Sequence, residues 1–319
     1  APIADGDSYT DFLPTLNLVF DLSDTVKVRF GASRTLARPR LDQLNPSGNL
    51  QVRQQNIGNG VTDPNGEVVF RRTAGNAQLR PYIANQADIS IEKYFGGSGY
   101  ISLAAFYKDL NDFVNTGDSF VEDFSDAALT FLTPAQQALL DTPLGLNVIN
   151  SNNGFGRIRG FEASLSVPLD IVTESLSGLG FLTSASFTDS RVSLFNSQTP
   201  DAFTVITVPG LSKWVVNSTV YFEKAGFEAR VSHRYRTPFL GEVAAISATR
   251  TFRTSRSESI IDAQIGYAFS GALEGVRVTA QGLNLTDEPF ETIQGGDDRQ
   301  LIDSQSFGRT YLIGASFTF

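Results

Sequence analysis

The chain has 319 residues, a formal net charge of −9, no cysteine, no methionine and one histidine. The acidic balance argues against a nucleic-acid partner, which needs a basic stripe, and the missing thiols exclude disulfides, thiolate metal sites and thiol catalysis. Only 18% of residues are charged, yet mean hydropathy is −0.08 and no apolar run reaches the roughly 20 residues of a spanning helix. Strands with one polar and one apolar face average to such a value.

In chain order the pattern predicts about eleven amphipathic strands: 11–20, 25–35, 86–95, 99–109, 156–167, 179–190, 212–223, 227–237, 258–269, 275–286 and 308–319. In 25–35, Val26, Val28, Phe30 and Ala32 oppose Lys27, Arg29 and Ser33. In 227–237, Phe227, Ala229, Val231, His233 and Tyr235 oppose Glu228, Arg230, Ser232, Arg234 and Arg236. The final strand alternates Tyr311, Ile313, Ala315, Phe317 and Phe319 with Leu312, Gly314, Ser316 and Thr318. The first two also suit a soluble sandwich, with the apolar row in its core, whereas the last, stopping at an aromatic, would be an exposed, sticky edge in a soluble sheet.

The connections separate the two readings. Turn-forming residues fill short connections at Ser23-Asp24, Gly96-Gly97-Ser98, 169–178, Lys224-Ala225-Gly226 and Ser270 to Gly275. Between them lie long segments at 36–85, 110–155, 191–211, 238–257 and 287–307. Every second connection is long, as in an outer-membrane barrel with tight periplasmic turns and extended extracellular loops. One loop carries a helix signature, with Thr133 as N-cap, Pro134 at the first position and Gln136 completing a capping box. The chain begins Ala-Pro-Ile-Ala and shows no signal peptide, so a cut protein or part of a longer one is expected.

Several blocks carry a resemblance. They are Asp11-Phe-Leu-Pro-Thr-Leu-Asn17, Arg29 to Pro39, Leu79-Arg-Pro-Tyr82, Tyr94-Phe-Gly-Gly97, Phe106-Tyr-Lys-Asp109, Gly156 to Glu162, Val208 to Lys213, Leu283 to Asp287 and Gly308-Arg-Thr-Tyr311. In that order they resemble TonB-dependent outer-membrane receptors, particularly the class of Caulobacter- and Xanthomonas-like bacteria. The resemblance implies an all-β, transmembrane antiparallel β-barrel of 22 strands plugged by an N-terminal domain, with residues 1–319 forming its C-terminal half. It implies no catalysis and no cofactor. Its partners would be the N-terminal half with the plug, the TonB complex, the barrel assembly machinery and outer-membrane lipid. The end of the chain also resembles the C-terminal assembly signal of outer-membrane proteins, through Gly314, Phe317 and Phe319, departing from it at Leu312.

Ligand-binding candidates on the loops are the aromatics Phe113, Phe120, Phe124 and Phe252, which could stack on a sugar or siderophore, and the cations Arg71, Arg72 and Arg253. Packing of loops on one another is the alternative for the aromatics. Lys213, Arg230, Arg234, Arg236 and Arg277 are expected to face the lumen or plug. His233 has no partner ligands for a metal site and reads as an aromatic-girdle residue. Asp63 to Glu67 and Gly295 to Asp298 read as turns, with too few spaced oxygens for a complete calcium site and weak ion binding as the alternative. The function expected is active import of a scarce nutrient, an oligosaccharide or similar organic ligand or a ferric siderophore. A passive porin or a scaffold half-barrel are the alternatives.

Overall fold

In the computed structural model, residues 6–318 are described apart from 56–66, 127–129, 131–132, 139, 141, 197–198 and 247–248. Eleven strands form one antiparallel path: β1 (Thr15–Ser23), β2 (Val26–Ala37), β5 (Tyr82–Phe95), β6 (Gly99–Asp123), β7 (Leu144–Pro168), β8 (Leu179–Asn196), β10 (Trp214–Lys224), β11 (Phe227–Arg236), β14 (Glu258–Ala268), β15 (Val276–Leu283) and β18 (Thr310–Phe317). The strands between these in chain order lie off the path. They are the hairpin β3 (Gly48–Gln55)–β4 (Glu67–Ala74), strand β9 (Thr199–Ile206) on β8, and a separate four-stranded sheet, β12 (Phe239–Ile246), β13 (Thr249–Ser255), β16 (Phe290–Gln294) and β17 (Leu301–Gln305).

The eleven path strands are the eleven that alternation predicts, because a period-two pattern lets only one register bury or expose a whole face. Boundaries move for local reasons. The first strand starts at Thr15 rather than 11, behind Pro14, whose carbonyl accepts from the Arg34 N–H at 3.0 Å. A proline there removes no ladder donor. The strand expected over 275–286 stops at Leu283 because Asn284 and Asp287 both take positive φ. Tight turns join the other end of the wall: Ala225 and Gly226 have φ of 52° and 82°, the left-handed pair that matches the twist of a two-residue hairpin.

The long connections are not irregular loops. Strands β6 and β7 each run 25 residues, roughly 80 Å of chain at ~3.3 Å per residue, where a tilted membrane strand needs only ~10 residues. Their upper halves pair with each other through Asp123↔Leu144, so the expected loop 110–155 is largely a tall hairpin. Alternation is absent there because the hairpin tops need no lipid face. The β3–β4 hairpin docks on it, β4 running parallel to β7 from Phe70↔Gly145 to Thr73↔Val148. The expected helix is one α-helical turn, α2 (Pro134–Gln137); α1 (Leu41–Leu44) is a second, and three 3-10 turns lie in the short connections.

Candidate functional site

Across the lower wall the register aligns one apolar row through every strand. Phe20 meets Val28, and Val28 meets Ile91 and, beyond it, Leu103. Phe161 meets Phe187, which meets Trp214, and Val220 meets Val231. All point outward, and Phe20, Ile91, Leu103, Phe161, Val220 and Val231 are exposed. Phe161, Phe187 and Trp214 form an aromatic cluster, with ring centroids 4.9–5.7 Å apart. His233 lies on this face with its Nε2 2.9 Å from the Ser259 hydroxyl.

The opposite face is polar and cross-linked. Arg277 pairs with Glu228, Arg234 with Asp262 at 3.4 Å and Arg236 with Glu258 at 2.5 Å. Arg230 donates to Gln264 at 2.5 Å, and Gln281 donates to the same amide oxygen at 2.9 Å. Four of the five expected lumen cations thus share one polar face; Arg230, Arg234 and Arg236 meet partners on the neighbouring strand β14, and Arg277 reaches across β14 to β11. Lys213 departs from them, because its ammonium sits 5.6 Å over the Phe187 ring, on the outward row.

Above the wall the polarity inverts. Among the described residues, most of the buried large apolar side chains form three clusters at or beyond the upper strand ends, and Leu79, Ile83, Val114 and Ile293 are buried outside them. Phe124 is buried against Phe70, centroids 5.6 Å apart, with Leu50 and Leu140. Phe113 stacks on Tyr82 at 5.3 Å and packs on Val192, Leu194 and Ile206. Arg71 is buried, and Arg72 donates to the Asn147 amide oxygen and the Pro46 carbonyl. In these positions Phe113, Phe124, Arg71 and Arg72 knit the hairpins together. Phe120 is half-buried opposite Asn147, and Arg253 is exposed opposite Gln294. The Phe252 side chain and Phe319 lie outside what is described. Phe317 is exposed on the outward row, and Gly314 faces Thr279 on the inward one.

The polar node that holds these hairpins falls inside a segment the sequence pattern assigns to a loop. Along β7, Asn150 donates to the Gln43 carbonyl at 3.4 Å. The Asn152 amide donates to the Arg80 and Asp112 carbonyls at 2.9 Å each and accepts from the Arg80 N–H at 2.8 Å. Ser151 and Asn153 both donate to the fully buried Asp118 carboxylate at 2.8 Å. A run of amides in a strand that needs no apolar face is the only local signal of this role. Farther out, in the turn at 295–298, Asp297 takes Arg299 at 2.8–3.0 Å and Asp298 takes Arg256 at 3.2 Å. The Arg299 side chain and its backbone N–H hold the Asp297 carboxyl below its ordinary range. The 63–67 motif falls largely outside the described residues.

A wall with a lipid-facing apolar row, a charged inner row, tight turns at one end and tall hairpins at the other defines a transmembrane antiparallel β-barrel. No helix of the described residues is long and apolar enough to cross a membrane, which says nothing against strands. The chain belongs to the TonB-dependent receptor-like β-barrel family, whose model matches residues 4–285, and it is accordingly an integral outer-membrane protein. It is similar to the ferric enterobactin receptor PfeA of Pseudomonas aeruginosa in complex with BCV-L6 (16% identity, TM-score 0.65, 97% of this chain and 41% of that one). It is also similar to the siderophore receptor PirA of Acinetobacter baumannii (15%, 0.62, 97% and 41%) and to the ferric citrate transporter FecA in its unliganded form (15%, 0.58, 95% and 38%). At these identities the likeness is one of fold. The chain spans about 40% of the length of such structures. No curated protein matches it.

Proposed function

We propose that this chain is the C-terminal part of the barrel of an active importer that takes a scarce nutrient across the outer membrane with TonB-supplied energy. In this reading residues 1–319 are all barrel. The remaining strands and a plug come from the N-terminal part of the same receptor, paired along the outer edges of β1 and β18, since a bilayer offers no water to satisfy unpaired backbone groups. The energy-coupling contact with the TonB complex then belongs to that N-terminal part, and the C-terminal strand addresses the chain to the barrel assembly machinery.

The family match across residues 4–285 carries this reading. The inner face supports it: Glu228, Asp262 and Glu258, each paired with arginine, give a fixed, neutralised surface against which a plug can seat and move without exposing bare charge. The ligand is an oligosaccharide or similar organic molecule, or a ferric siderophore that brings its own iron ligands. Growth of a producing strain on limiting nutrient tests the proposal. Uptake should vanish when TonB is deleted or the inner-membrane proton gradient is collapsed. Uptake that survives both treatments would make the barrel a passive pore.

A further inference from the structure

We propose that the outward face of the wall just above its aromatic cluster is a binding site for the phosphate headgroup of an outer-leaflet lipid. One register row crosses five strands at this level: Arg34, Asn85, Asp109, Arg157 and Arg191, paired in turn from β2 to β8. All share the parity of the lipid-facing row. Immediately below come Arg159 and Asp189, directly opposite each other and 3.0 Å apart, and Lys213 over the Phe187 ring.

The charges do not cancel. Five cations (Arg34, Arg157, Arg159, Arg191 and Lys213) face two acids. Asp189 is taken by Arg159, and Asp109 accepts from Asn111 at 3.1 Å. Arg157 and Arg191 are exposed, directly opposite on neighbouring strands, and no carboxylate among the described residues pairs with either. Like charges in that position repel. Elsewhere on the wall Arg29, Arg234, Arg236 and Arg277 each have a carboxylate. The Arg157–Arg191 pair therefore asks for an external anion, and two guanidinium forks on directly opposed residues suit phosphate oxygens.

Two features select a lipid over a free ion. The first is height. Arg157 and Arg191 each lie four residues above a ring of the aromatic cluster, Phe161 and Phe187. That is roughly 13 Å along the strand and about 9 Å along the membrane normal at a tilt of ~45°, which is headgroup depth. The second is shape. A cavity of about 630 Å³ is lined by Arg191, Asp189 and Lys213 together with Val205, Leu211, Phe239 and Leu240. It offers cations and apolar surface side by side, as an amphiphile requires and inorganic phosphate does not.

The test uses the full-length receptor in nanodiscs. It compares retention of phosphatidic acid with that of phosphatidylcholine of the same acyl chains, by native mass spectrometry after detergent release. The wild type should retain the phosphate monoester at least about tenfold better, and Arg157→Ser with Arg191→Ser should remove that preference. Arg157→Lys with Arg191→Lys, which keeps the charge and loses the forks, should fall between them, and it serves in place of the serine variant if that one fails to assemble. Equal retention in the wild type and either double variant overturns the site. Displacement of phosphatidic acid by millimolar inorganic phosphate overturns the lipid assignment and leaves a free-anion site.

Discussion

The lower wall and the hairpins above it are continuous strands of one chain, yet they obey opposite solvents. In the wall, Ile91, Val231 and Ile313 stand exposed, and arginines with their carboxylates line the other face. Higher on β7 and β8, Val192, five residues or ~16 Å along the strand above Phe187, and Leu146, fifteen residues or ~50 Å above Phe161, are fully buried and the exposed residues are mixed. Bilayer replaces water as the apolar side's neighbour in the first region. In the second, the only way to remove apolar surface from water is to pack hairpin on hairpin, at about 1.5–3 kcal/mol per large side chain. Substitutions of one chemical kind should therefore act differently in the two regions.

The largest contrast is expected at the buried node. Asp118→Ala removes the acceptor of Ser151 and the nearer of the two acceptors of Asn153 and should loosen the hairpin tops by about 3 kcal/mol or more. Hydrogen exchange should rise at 112–123 and 144–153 while β10–β11 stays protected. Leu146→Ala, at the centre of the Val69–Val148 cluster, should cost about 2–5 kcal/mol in the same region, read by limited proteolysis. A charge on the wall reverses the pattern: Val231→Arg should cost about 2–4 kcal/mol in lipid bilayers and far less in detergent. Breaking the inner ladder is milder. Glu228→Gln removes the Arg277 ion pair at a water-facing surface and should shift stability by under about 1 kcal/mol.

The smallest effect concerns pH. Asp297 is held below its ordinary range by Arg299, so its contribution is complete above the unfolded value of ~3.9 and is lost as pH falls through the lower folded value. Amide exchange at 294–300 should be flat across neutral pH, once corrected for intrinsic rates, and rise only in strong acid. A turn that opens near pH 6 would show that another group holds it.

The wall was legible in the sequence and the hairpin tops were not, for a physical reason. Membrane strands must keep one face apolar, so Phe227 to Tyr235 announce both period and facing within ten residues. No such requirement acts on 110–123 or 144–155, where backbone pairing alone extends the strand. The clamp at Asn150 to Asn153 depends on partners 72 and 107 residues away in the chain, which no local pattern encodes. Phe124 and Arg71 show the same limit: an aromatic or a cation in a polar stretch looks available to a ligand until its neighbours are known. Lys213 read as lumenal by parity, but it precedes the first residue of β10 and turns onto Phe187.

The most direct test is a single-cysteine scan within this chain, which has no cysteine of its own. Cysteines placed singly at 227–236 in the assembled receptor would be reacted with a membrane-impermeant maleimide in intact outer membranes, and with a spin label for oxygen contact. Residues 229, 231 and 233 should be lipid-accessible and resist the maleimide, while 230, 232 and 234 should show the reverse. Uniform labelling along the strand, or lipid contact at 230 and 234, would contradict a membrane wall built on this register.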